Sequence, residues 1–141
     1  MSAATRPDVA WADTNIFVAL FAGASHPLHD PVLDLFRRVA DGSLRLILTP
    51  VVLAELVYVS ESLFGWRRAT TASRLQALLS AEGLDVRERE VLTQALDLYG
   101  ARGQLDFVDA YLAGSAVTRG PATVASLDRD FDRLPAVRRI G

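Results

Sequence analysis

Short apolar runs of strand length alternate along this chain with longer stretches of helical period, and that alternation limits the fold more than any other feature. Strands are expected at 9–12, 44–48, 84–86 and 122–126, with an edge strand at 138–140. Between them the apolar spacing predicts helices at 14–22, near 27–40, from Pro50 to about 63, at 67–80, at 88–101 and at 107–119, and a short helix around Phe131. Strands that each wait for a helix before the next strand pair in parallel, so the expected fold class is α/β: a three-layer α/β/α arrangement with a mostly parallel central sheet. No repeat, linker or low-complexity stretch interrupts the pattern. A single domain over 1–141 is therefore expected, with residues 1–8 as a disordered arm. With 50% hydrophobic residues the chain is long enough to bury a sizeable core.

Several function classes drop out early. The longest apolar stretch, 46–59, is broken by Thr49, Pro50 and Glu55 and is too short to span a bilayer. The N-terminus lacks a basic-then-apolar signal pattern, so a cytoplasmic protein without a membrane segment is expected. Absence of cysteine removes disulfides, thiolate zinc sites and a cysteine nucleophile. The formal net charge is −2, yet all 15 basic residues are arginine. Guanidinium groups bind phosphate bidentately, but coding bias explains this usage more simply. Trp66-Arg67-Arg68 offers an aromatic and cations together, a pairing that suits nucleic acid and equally suits a packed helix corner. His26 and His29 flank Pro27 without further His or Cys support and read as loop residues.

The acids carry more information. In open parallel sheets, sites form beyond the carboxyl ends of the strands, where Asp13 and Asp128 fall. Glu55 and Asp109 lie on helices that follow loops. Asp13-Thr14-Asn15 stands at a strand-to-helix junction where any of the three serves as an N-cap, but a cap needs only one such residue. Glu55 interrupts a segment apolar around most of its circumference and shares a helical stripe with Val51, Val52, Tyr58 and Val59. Burial there requires an arginine, a metal or a water as partner. Asp106 and Asp109, three apart, open one helix: Asp106 reads evenly as N-cap or site residue, and Asp109 as a site residue. Asp128, Asp130 and Asp132 alternate with arginines; Asp132 reads as a surface ion pair, and Asp128, nearer the strand end, is preferred to Asp130.

Taken in order, DTN after the first strand, Glu55 within the third helix, Asp109-Ala110 opening a late helix and SLDRDF after a late strand resemble the PIN-domain ribonucleases. The compact length is similar to that of VapC-like toxins of bacterial toxin–antitoxin pairs. The resemblance runs from Val9 onward. It implies that Asp13, Glu55, Asp109 and Asp128 form an acidic quartet, with Asn15 and Ser126 as polar neighbours and Asp106 and Asp130 as secondary acids. It further implies an RNA substrate cut to leave a 3′-hydroxyl and a 5′-phosphate, a VapB-like antitoxin that blocks the site, and a homodimer.

Charge physics points the same way. Two carboxylates about 4 Å apart repel by roughly 4 kcal/mol at an effective dielectric of about 20, a cost that a shared cation removes. Oxygen-only ligands favour Mg²⁺ or Mn²⁺ over zinc. Three alternatives stand beside the toxin reading: a PIN nuclease without an antitoxin, a non-enzymatic α/β binding module, and a haloacid-dehalogenase-like phosphatase with Asp13 as nucleophile. The last normally needs an Asp where Asn15 stands, and a lysine that this chain lacks.

Overall fold

The computed structural model describes residues 6–141, which form two compact units. The first contains the chain up to Gly65 together with Leu79–Arg87. Its sheet has three parallel strands, β1 (Asp8–Trp11), β2 (Leu44–Leu48) and β3 (Leu84–Val86), in the order β1-β2-β3. Ala10 aligns with Leu46, and Leu46 with Leu84. As the middle strand β2 is covered on both faces, which explains its run of apolar residues: Leu44, Leu46, Ile47 and Leu48 are all buried. Asp8 belongs to β1, and its N–H donates to the Ser43 carbonyl at 3.0 Å, so the arm expected over 1–8 does not reach Asp8. Residues 1–5 of that expected arm lie outside the described residues.

Three helices complete this unit: α1 (Thr14–Ala22), α2 (His29–Ala40) and α3 (Pro50–Ser62). A 3-10 turn at Gly23–Ser25 and the Leu28 N–H donating to His26 Nδ1 at 3.0 Å delay α2 until His29. His29 is thus a helix residue, not the loop residue expected. Phe17 and Phe36 meet at 5.8 Å between α1 and α2. Thr49 caps α3 by accepting the Val52 N–H at 3.3 Å, and Pro50 fills the first helical position, where its missing N–H costs nothing. Gly83, at φ +84°, precedes β3 because a Cβ there would lie 2.6 Å from Val39 Cγ1.

The second unit holds Trp66–Leu78 and Glu88–Gly141. Its helices are α4 (Arg68–Leu79), α5 (Arg89–Ala101) and α6 (Phe107–Arg119), and its strands β4 (Thr123–Ala125) and β5 (Arg138–Ile140) pair in parallel. Helix α5 lies along α6 through small residues: a Cβ on Gly114 would stand 3.1 Å from the Val91 carbonyl oxygen. Val91, Leu92, Ala95 and Leu96 of α5 are fully buried, as are Ala110 and Ala113 of α6. A second 3-10 helix, Arg129–Arg133, buries Phe131. Arg139 ties this turn to β5 by a bidentate pair with Asp132 at 2.9 and 3.2 Å and by donating to the Ser126 carbonyl at 3.0 Å. Pairing is parallel throughout both sheets, as the alternation requires. Among the described residues, no helix is long and apolar enough to cross a membrane.

Candidate functional site

In the first unit, Asp13 follows the β1 end after Ala12 and occupies the N-cap position of α1 with extended backbone, φ −84° and ψ 148°. Its carboxylate makes no capping hydrogen bond. The cap role is thus available to Asp13 by position and unused by its side chain, leaving its oxygens open to another partner. Thr14 beside it is buried, while Asp13 and Asn15 are exposed.

Glu55 overturns an expectation. Helix α3 turns Leu53, Leu56, Val57 and Ser60 inward, and Glu55 stands on the opposite, exposed side. The stripe it shares includes Val51 and Tyr58, which are 70% and 69% exposed. Because α3 is apolar nearly all round, its composition does not reveal which face is core. Glu55 therefore needs no buried arginine. It is an acid set in an exposed apolar surface, an arrangement that suits contact with a partner or substrate.

The second unit brings four of the expected residues into one electrostatic neighbourhood. Asp106 is the N-cap of α6, again without a capping hydrogen bond, and Asp109 lies in the first turn. After β4, Ser126 Oγ accepts the Asp128 N–H at 3.0 Å, and Asp128 Oδ1 accepts the Asp130 N–H at 2.9 Å, so the SLDRDF motif folds as two successive side-chain turns. Asp109 is half-buried, and its carboxyl is held above the usual carboxylate range. Burial is the chief cause, followed by the negative charges of Asp128, Asp106 and Asp130 in that order. Asp128 thus opposes the ionisation of Asp109 more than Asp130 does.

The donor set is oxygen only, and its most constrained carboxylate is loaded with like charge, a combination that a hard divalent cation relieves. Among the described residues, no three His, Asp or Glu side chains gather tightly enough to hold an ion as a protein cage. Mg²⁺ does not demand one, since it keeps several waters and binds through one or two carboxylates. The residues fit such an ion.

Glu88 escaped the sequence reading, and Arg68 was weighed only for phosphate. Glu88 sits just before α5 in a left-handed conformation, φ 56° and ψ 41°. It accepts the Tyr111 hydroxyl at 2.8 Å and faces the Arg119 guanidinium at 3.3 Å, closing one end of the α5–α6 pair. Burial, then the hydrogen bond to Glu88, pushes the Tyr111 hydroxyl pKa up. Arg68 Nη1 lies within hydrogen-bond distance of the carbonyls of Tyr99, Arg102 and Leu105, at 3.3, 3.1 and 2.5 Å. Arg68, weighed with Trp66 and Arg67 for phosphate, instead has its Nη1 engaged internally. The Arg74 guanidinium covers the Trp66 ring at 4.3 Å.

A family profile described as PIN domain matches residues 11–137, a span that includes parts of both units. The chain is 25% identical over 122 residues to a VapC ribonuclease of Aquifex aeolicus (strain VF5), covering 86% of this chain and 89% of that protein. It is 28% identical over 125 residues to Ribonuclease VapC7 of Mycobacterium tuberculosis (strain ATCC 25618 / H37Rv), covering 89% and 86%.

Proposed function

Because the chain belongs to the PIN domain family, with an α/β/α fold class to match, we propose that it is a metal-dependent endoribonuclease and the toxin of a toxin–antitoxin pair. The observation that carries the chemistry is Asp109, half-buried and flanked by three carboxylates whose charges oppose its ionisation. An isolated cluster of this kind is costly; with Mg²⁺ or Mn²⁺ it becomes a site. Asp13 and Asp109 are the principal ligands in this reading, and Glu55 and Asp128 complete the set or hold its waters. Bound there, the ion supplies an acidified water and neutralises charge that grows on the scissile phosphate.

The chain's own groups do the rest. Asp13 and Asp106 stand at helix starts with carboxylates not used in capping, so in this reading both are available to the ion or its waters. Asn15, exposed in the first turn of α1, is a polar neighbour of Asp13 in this reading, and Ser126 holds the Asp128 turn by accepting the Asp128 N–H. Asp130, with its backbone N–H committed to Asp128, is a secondary acid. An RNA substrate follows from the ribonuclease names of the two relatives, and a cognate VapB-like antitoxin is proposed with it from the resemblance to VapC-like toxins. The exposed Val51 and Tyr58 beside Glu55 support a protein partner on that face. Homodimerisation, a cytoplasmic location and a single PIN domain across both units belong to the same proposal. The family assignment sets aside the phosphatase alternative.

The test is RNA cleavage by the purified chain with Mg²⁺ or EDTA, for the wild type and for Asp13→Asn, Glu55→Gln, Asp128→Asn and Asp130→Asn. Cleavage should require the ion and fall by at least about a hundredfold for the first three, with the fold retained; Asp130→Asn should be milder. Folded Asp13→Asn and Glu55→Gln variants that cleave like the wild type would defeat the assignment.

A further inference from the structure

Arg68 opens α4, more than thirty residues from the acids of α6, yet its guanidinium is inserted into the turn that leads to them. Its side chain is only 26% exposed, unusual for a residue so often solvated. Nη1 reaches the carbonyl of Tyr99 in the last turn of α5, that of Arg102 at its C-cap, and that of Leu105, the residue before Asp106. The first two lie at the C-terminus of α5, where a cation is electrostatically favoured, and the Arg102 carbonyl also accepts the Leu105 N–H at 3.1 Å. Nη2 stands 3.9 Å from Asp106 Oδ1, and the guanidinium lies over the Tyr99 ring at 4.5 Å. That ring meets Phe107, the first residue of α6, edge-on at 6.2 Å.

One planar group thus grips the end of α5, the linker and the residue just before α6. We propose that Arg68 is a positioning residue of the acidic site: its guanidinium fixes the 102–106 turn and with it the first turn of α6, which carries Asp106 and Asp109. The proposal rests on the metal-dependent nuclease reading. Its logic is mechanical as well as electrostatic. Asp109 lies in the first helical turn, so fraying of the α6 start would displace its carboxylate directly, and loss of the guanidinium would also remove the one positive charge that faces Asp106 at ion-pair distance in the described contacts.

The experiment compares full-length wild type, Arg68→Met and Arg68→Lys by two measurements besides cleavage: Mn²⁺ affinity, and amide hydrogen exchange across 102–110. Methionine keeps the apolar stem and removes the fork; lysine restores charge without the planar donors. Arg68→Met should bind Mn²⁺ at least about tenfold more weakly, in the range seen when groups that orient metal ligands are removed, and should exchange faster across 102–110 than elsewhere. Arg68→Lys should recover part of both. A folded Arg68→Met protein with wild-type Mn²⁺ affinity overturns the proposal whatever its exchange, because a merely structural arginine would shift stability alone. Should Arg68→Met fail to fold, Arg68→Lys carries the test, and unchanged affinity there overturns it equally. A wild-type protein that binds no Mn²⁺ defeats the nuclease reading itself, and the proposal with it. That outcome is separate from wild-type binding that Arg68 does not influence.

Discussion

Replacing Asp109 by Asn should stabilise the metal-free protein and abolish its response to Mg²⁺. Burial of the charged carboxylate is the largest cost at this position, and Asp128, Asp106 and Asp130 add repulsion in that order. A like-charged pair three apart on a helix costs about 0.2–0.5 kcal/mol, which sets the Asp106 contribution; Asp128 adds at least as much, by roughly the same scale. Opposing these is the helix dipole, which favours an acid in the first turn of α6 by about 0.3–1 kcal/mol. Repulsion and dipole nearly cancel, so desolvation decides the sign. Because the group is only half-buried the gain is small, and it reads as a higher melting temperature of Asp109→Asn in EDTA. The sign follows from linkage. A raised native pKa means the folded state holds a proton that the unfolded state has lost, so stability falls as pH rises from about 3.9 through the native value, and the cost is fully present above it. The advantage of the variant should accordingly be complete near neutral pH and vanish in acid. With Mg²⁺ at about ten times its Kd, the wild type should gain about 1.4 kcal/mol and the variant nothing, reversing their order. Thermal melts in EDTA and across a Mg²⁺ titration measure both effects. A variant less stable than wild type in EDTA at neutral pH would refute the reasoning, since that is what a capping or dipole role predicts.

Other perturbations probe the scaffold. Asp132 is held below the usual carboxylate range by its hydrogen bonds to Arg139, so its stabilisation is present above about pH 3.9 and lost as pH falls through the lower native value. Asp132→Asn should be the less stable protein near neutral pH and match the wild type in strong acid; melts across an acid series decide it. Gly114→Ala forces a methyl to within 3.1 Å of the Val91 carbonyl and should cost about 1–3 kcal/mol, read as a lower urea midpoint at unchanged slope. Thr49→Ala removes the α3 cap and should cost about 1 kcal/mol by the same assay, with no change in Mn²⁺ affinity.

Much of the backbone was legible because local signals agreed with one another. Pro50 announced the start of α3, and the apolar run 44–48 between two helices became the doubly covered β2. The site was legible in part: the acids at strand ends and helix starts stand where the alternation put them. Glu55 was misjudged because an all-round apolar helix conceals its inward face, and the core took Leu53, Leu56 and Val57 instead. The contacts of Arg68, weighed only for phosphate, and of Glu88 were missed for a different reason. Their side-chain hydrogen-bond partners lie 23 to 37 residues away, and a left-handed Glu88 departs from what any propensity would place before a helix.

The central claim is tested most directly by mapping RNA ends after a brief expression pulse of the wild type beside Asp109→Asn. New ends bearing 5′-phosphates and 3′-hydroxyls should arise at a small set of sites with the wild type alone, and the same cuts should be reproduced by the purified protein only when Mg²⁺ or Mn²⁺ is supplied. Cuts of equal yield from a folded Asp109→Asn protein, or cleavage undiminished in EDTA, would contradict it.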